Sequence, residues 1–428
     1  MTSLRKYRIS GWILLAFAVL VWVMVMGESR TAAAQEKGTV KSEGTSTPWE
    51  SFLQTEGVPV HRGFAIPDIS KVKVGPWKRY GIDGALVYLD GAGGITTGFV
   101  FEIQPGKKSL PVRHIFEGRV VVISGSGEAH FWQDGGQKVT ALFQKGTLFP
   151  LPLNTWYEIV NTGNETVRMY GVSSEPLFID LFRDLDFVFN SSHAFKDRFD
   201  GRIDFFKPEP IELKPNLRDR LGYAVSVTNL VPDVNTAKLY PAGHGVLETA
   251  WREAGGSGTT NRHYSMAYDN LDSHIEVFLP AVYEMAHKHG PGANVMYLGG
   301  HGYSLLWPPE LGRNPYKDGH GDKVMRVDWG PYTVFVPPLQ WYHQHFNPSP
   351  EPARFIKVAA FGSRVQSLTS KVVFGEYPDA IDYPDEDPKI KADFEAECTK
   401  RGVKSLMPPV EKFLKLREAE QKEKEGKK

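Results

Sequence analysis

Two histidines one residue apart, His287 and His289, are followed by Gly290-Pro291-Gly292 and answered 54 residues later by His343, within residues 338–347 (PLQWYHQHFN). Side chains at i and i+2 of a strand share a face, because strand side-chain direction has period two. A third imidazole delivered from a later strand would close a three-nitrogen facial site. Such a site suits a borderline divalent ion and leaves coordination positions open. The intervening sequence reads as β structure: Val295 to Leu298, a turn at Gly300-His301-Gly302, Gly330, the run Val334 to Val336, and a proline turn at Pro337-Pro338.

The rest of the chain agrees with that reading. Apolar runs flanked by turn formers recur at 98–103, 119–124, 157–160, 168–172, 294–298, 332–336 and 354–361, and the chain carries 42 glycines and 30 prolines. Together they predict an all-β fold with many short connections, and 428 residues suffice for two domains. Fifty basic residues balance fifty acidic ones, so no overall field draws the chain to nucleic acid.

These residues resemble the two motifs of the cupin superfamily, a small antiparallel barrel. The resemblance implies a double-stranded β-helix, or jelly-roll, fold. It places His287, His289 and His343 at the three histidine positions and Asn347 at the asparagine of the second motif. The glutamate of the first motif is missing, since Ala293 or Asn294 stands there. This implies a three-histidine site of the kind used by ferrous dioxygenases, with Fe(II) the expected metal and Mn, Ni or Zn as alternatives.

A degraded copy of the pattern lies in the first half. An offset of 175 pairs His114 with His289, Val112 with His287 and Gly125 with Gly300. An offset of 186 pairs Pro152 with Pro338, Tyr157 with His343 and Asn161 with Asn347. The difference of 11 marks an insertion near residues 314–321. One surviving histidine predicts a first barrel kept for packing, with Glu117 as a further group near His114, and one divalent ion per chain. The chain is thus expected to be a tandem of two barrels, a bicupin.

The expected organisation is a signal peptide or membrane anchor over 1–34, a flexible lead over 35–75, a first barrel over 76–185 and a bridging segment over 186–240. A metal-binding second barrel over 241–365 and a C-terminal extension with a charged tail over 366–428 complete it. Arg5, Lys6 and Arg8 precede an apolar run from Trp12 to Met26, and Ala32-Ala33-Ala34 offers a cleavage site. The run is short of the roughly 20 residues that span a bilayer. Both cleavage and inner-membrane anchoring stay open. Either way the body is expected outside the cytoplasm, in the periplasm or cell envelope.

Eight of the thirteen histidines follow residue 260. His345 shares the face of His343, as a fourth ligand, a proton carrier, or a bond to a backbone carbonyl. Asn294, at the position of the acid, is expected to bind the ion weakly or orient water. Tyr303 and Trp341 are candidates for the barrel mouth, Arg326 for a surface salt bridge or a substrate carboxylate, and Cys398 for a half-buried structural thiol. The predicted catalytic residues are therefore His345 and Asn294. Two readings follow: an exported ferrous dioxygenase that takes dioxygen and a small chelating carboxylate or phenolic substrate, or a non-catalytic metal or ligand module, a sensor or assembly factor. A homo-oligomer is left open in both.

Overall fold

The structure, a computed structural model, describes residues 46–208, 225–241, 260–288, 293–359 and 380–426. The expected export segment, His289 and the glycine hinge at 290–292 lie outside the described residues. All described residues belong to one compact unit, Ser46–Lys428. No helix among them is long and apolar enough to cross a membrane.

The fold is mostly β and consists of two barrels, each made from a large and a small sheet. In barrel one the large sheet runs Val60–Gly63, Ile82–Leu89, Thr97–Ile103, Val167–Ser173, Gly118–Ser124, Leu148–Leu151. Its small sheet is Trp156–Val160, Ser126–Trp132, Val139–Gln144. Barrel two repeats the order with Thr260–Ser265, Asp272–Phe278, Ala353–Ala359, Ala293–Gly299 and Val334–Phe335, against Met325–Trp329, Gly302–Trp307, Tyr342–Asn347 and Ala286–His287. Gly125 and Gly300 turn equivalent hairpins at φ 77° and 85°, where a Cβ would press on Val167 and Ala353 backbone. The connection from Trp132 to Val139 has 6 residues and that from Trp307 to Met325 has 17, so the 11 extra residues fall in this hairpin loop.

The large sheets face each other, which is why their strands are apolar on both sides. Val120 and Val122 point into the core of barrel one while Val121 and Ile123 point into the inter-barrel core. Val295 and Tyr297 fill barrel two while Met296 joins the inter-barrel core. A polar lock crosses this apolar layer. Arg119, whose side chain is fully buried, pairs with Asp269 at 2.5 Å and also donates to the Tyr264 carbonyl at 3.0 Å, to the Leu271 carbonyl and to Ser273 Oγ. Glu117 accepts from the Asn270 backbone at 2.8 Å, so it serves the interface and not His114.

The leads are exchanged between barrels. Val60–Gly63 runs parallel to its own barrel's Leu86–Leu89, after which Ala65 and Ile66 pair with Phe335 and Val334 of barrel two. Reciprocally, Val225–Val227 runs parallel to His263–Ser265, and Val231 then bridges to Leu148 of barrel one. The described part of the segment expected to be a flexible lead is packed structure: helix α1 (Pro48–Glu56) buries Trp49, Phe52 and Leu53.

The C-terminal extension packs onto barrel two. Ala380–Ile381 adds a strand beside Ala286–His287. The helix Pro388–Lys400, capped by Asp387 and started by a proline, buries Ile390, Phe394 and Cys398. Phe394 meets Tyr283 at 4.9 Å. Cys398 is fully buried, and burial pushes its thiol up to about 11, which suits packing and not nucleophilic chemistry.

One buried acid makes a pH prediction. Glu175, at the start of the helix Glu175–Phe182, is 2% exposed. Burial, followed by the Glu56 charge, pushes its carboxyl up to about 8, while Arg79 opposes. The folded chain thus keeps a proton that the unfolded chain releases near 4.5. Stability from this group is present below that pH and is lost as pH rises through about 8. Glu175→Gln should remove the loss: melting curves should show the variant gaining on the native protein steadily from pH 5 to pH 8.5.

Candidate metal centre

His287 and His343 are direct cross-strand partners between Ala286–His287 and Tyr342–Asn347, with ring centroids 4.4 Å apart. Each Nδ1 lies 3.0 Å from the carbonyl two residues back, that of Met285 or Trp341. A carbonyl only accepts, so Nδ1 carries the hydrogen and Nε2 the lone pair. Fixing the tautomer from the backbone is how imidazole ligands are usually oriented. Burial pushes His287 down to about 4, and pushes His343 and His345 well below the usual range, with the neighbouring imidazoles adding to the effect. All three are neutral at pH 7, the form that ligates.

His345 Nδ1 lies 2.7 Å from Ser304 Oγ, which also accepts from Trp329 Nε1 at 3.1 Å. Its ring is 5.8 Å from that of His343 and is walled by Phe278, Phe335 and Phe355 at 5.7–6.2 Å. It is therefore held by a side chain, not by a backbone carbonyl.

The interior also contains charged groups that motif reading did not single out. Asp272, His274, Glu276 and Phe278 alternate along one strand onto the inner face, and Lys357 is the cross-strand partner of His274. Burial pushes Glu276 up, and the nearby Glu284 charge adds to this; burial likewise pushes Glu284 up and Lys357 down. Glu284 Oε1 lies 3.5 Å from His287 Nδ1. That approach is to the Nδ1 side of the ring, opposite Nε2, so Glu284 does not take the place of the carboxylate missing from the first motif. Among the described residues, His263, Asp272 and His274 form a group whose ligand atoms all lie within 4.8 Å of one another. The signal for these residues was a period-two run of titratable side chains at 272, 274 and 276.

Asn294 is placed away from this interior. Strand alternation turns it outward between Ala293 and Val295, and its amide accepts from Tyr170 Oη at 3.2 Å and donates to Thr96 Oγ1 at 3.0 Å, both in barrel one. It is an inter-barrel contact, equivalent by the 175 offset to Arg119, and it does not reach the histidines. Tyr303 likewise leaves the mouth: it stacks on Phe346 at 4.6 Å and lies under the Pro388–Lys400 helix. Trp341 is half-buried near the exposed Phe64 at 6.4 Å. Arg326 pairs with Asp328 at 2.8 Å and covers the Tyr303 ring at 3.9 Å; it is a surface ion pair. His301 is exposed.

In barrel one the equivalent pair is Val112 and Tyr157, joined by an antiparallel bridge. His114 donates from Nδ1 to the Phe116 carbonyl at 2.8 Å, and its Nε2 is 3.1 Å from Tyr157 Oη, which donates to it. Both nitrogens are thereby engaged. The donor set of barrel two fits a divalent ion; that of barrel one does not.

No protein-family model and no curated protein matches the sequence. Among solved structures the chain is similar to oxalate decarboxylase from Bacillus subtilis at pH 4.6, with 12% identity and a TM-score of 0.42 over 69% of this chain and 76% of that one. It is also similar to a Lactobacillus farciminis oxalate decarboxylase formate complex, with 12% identity and a TM-score of 0.41 over 69% and 85%. A further Bacillus subtilis oxalate decarboxylase structure, described for its Mn(II) centres, matches with 12% identity and a TM-score of 0.41 over 69% and 77%. Identity of this size leaves the chemistry of the chain to be read from its own side chains.

Proposed function

We propose that the second barrel is the catalytic half of a metal-dependent enzyme of cupin type, a ferrous dioxygenase acting on a small chelating carboxylate or phenolic substrate. The observation that carries this reading is the pairing of His287 with His343, two motifs far apart in sequence, with both imidazoles neutral and both tautomers fixed for ligation through Nε2. His289 is the third ligand in this reading. Ferrous iron held by these residues would supply Lewis-acid and redox chemistry toward an organic ligand and dioxygen. The chain's own residues do the rest. Lys357 offers a positive charge to a substrate carboxylate, Glu276 and Glu284 hold and move a proton beside it, and Phe278, Phe335 and Phe355 exclude water. Ser304 orients His345.

Protein loaded with Fe(II) without oxygen, then screened for oxygen uptake with aliphatic and phenolic carboxylates, should consume oxygen with at least one compound, and His343→Ala should not. Metal retention without uptake across the screen would instead favour a non-catalytic binding module. The export reading rests on residues 1–34: a reporter fused after Lys428 is expected to be active only outside the cytoplasm.

A further inference from the structure

We propose that His263, Asp272 and His274 form a second divalent-cation site in barrel two, with a two-imidazole, one-carboxylate donor set suited to Fe(II), Co(II) or Zn(II). The register builds it. His263 and His274 are cross-strand partners, with ring centroids 4.4 Å apart. Asp272 lies two residues before His274 and so on the same face. One candidate ligand atom from each residue falls within 4.8 Å of the other two, as required of atoms that converge on one ion at about 2.0–2.2 Å. Two imidazoles and a carboxylate are a recurrent facial set for first-row metals.

The unfilled valence points the same way. His263 Nδ1 is 3.1 Å from Asp272 Oδ2, a hydrogen bond, but His274 Nδ1 is 3.7 Å from the same oxygen and has no hydrogen-bond partner among the described residues. His274 is only 8% exposed. A buried imidazole nitrogen without a partner calls for an explanation, and an ion between it and the carboxylate provides one. Asp272 keeps 18% of its side chain in contact with solvent, which gives the ion an access path.

The sister barrel is an internal control. The 175 offset places Thr97 at the position of Asp272, Phe99 at His274 and Phe101 at Glu276, and Leu86, the partner of Phe99, corresponds to His263. The 186 offset places Gly171 at the position of Lys357. In barrel one Phe99 fills the space over Gly171 so closely that a Cβ there would lie 2.1 Å from its ring. The same fold is thus completed with an apolar core at these positions. At these positions barrel two carries two imidazoles, two carboxylates and an amine, at a desolvation cost that packing alone does not explain.

Co(II) titration without oxygen, read by bound metal per chain and by visible absorption, tests the site. Native protein should bind two Co(II) per chain, and the double variant His287→Ala/His343→Ala should keep one. Adding Asp272→Asn and His274→Gln to that variant should remove the remaining ion; Asp272→Asn alone, the mildest change, should weaken it at least tenfold while the thermal melt stays cooperative. The inference is overturned if His287→Ala/His343→Ala binds no Co(II), or if folded Asp272→Asn and His274→Gln proteins bind as before. A single ion that survives His287→Ala/His343→Ala and is lost with Asp272→Asn would uphold this site and remove the one proposed at His287 and His343.

Discussion

Arg119→Ala should lower the free energy of unfolding by about 3–5 kcal/mol, because it leaves Asp269 buried between the barrels without its charge partner. The guanidinium is fully buried and donates to one carboxylate, two backbone carbonyls and a hydroxyl, all in barrel two. Removing it therefore also leaves several acceptors unpaired, and an unpaired buried group costs about 1–3 kcal/mol. Arg119→Met combined with Asp269→Leu should recover only the part of the loss that comes from the uncompensated Asp269 charge, since the Tyr264 and Leu271 carbonyls still lose their donor. Denaturant unfolding checks both. A loss below about 1 kcal/mol for Arg119→Ala, the size of an exposed pair, would mean that the lock does not hold the barrels together.

His343→Ala should weaken Fe(II) or Co(II) binding at the His287 centre by more than about 100-fold, since loss of outer-shell partners alone costs about 10–100-fold and this change removes a ligand. Oxygen uptake should vanish with it. Tyr157→Phe, at the equivalent place in barrel one, should leave the metal content unchanged. Its cost is the hydrogen bond to His114, about 1 kcal/mol or somewhat more. Metal analysis of the two variants side by side separates the barrels.

Much of the β framework was readable from apolar runs. Those at 98–103, 119–124, 157–160, 168–172 and 294–298 fall within strands, because sheets packed on both faces need near-continuous apolar sequence. The internal repeat was legible too: the offsets that pair Val112 with His287 and Tyr157 with His343 pair residues that occupy the same bridge in each barrel. Asn294 was misplaced because counting from His289 ignores which way a strand faces; Val295 and Tyr297 point inward, so Asn294 cannot. The exchanged leads left no local pattern, since Ala65 meets Phe335 across most of the chain. The C-terminal helix hid its stripe of Ile390, Phe394 and Cys398 among charges. Asp272, His274 and Glu276 leave no mark among the apolar runs, because here the inward face of the strand is polar.

Anomalous scattering from a crystal of protein loaded with Fe(II) tests the central claim most directly. The account predicts a peak inside barrel two about 2.0–2.2 Å from Nε2 of both His287 and His343, and none at His114 in barrel one. A well-ordered barrel two with no peak between His287 and His343, or a peak at His114 instead, would contradict it.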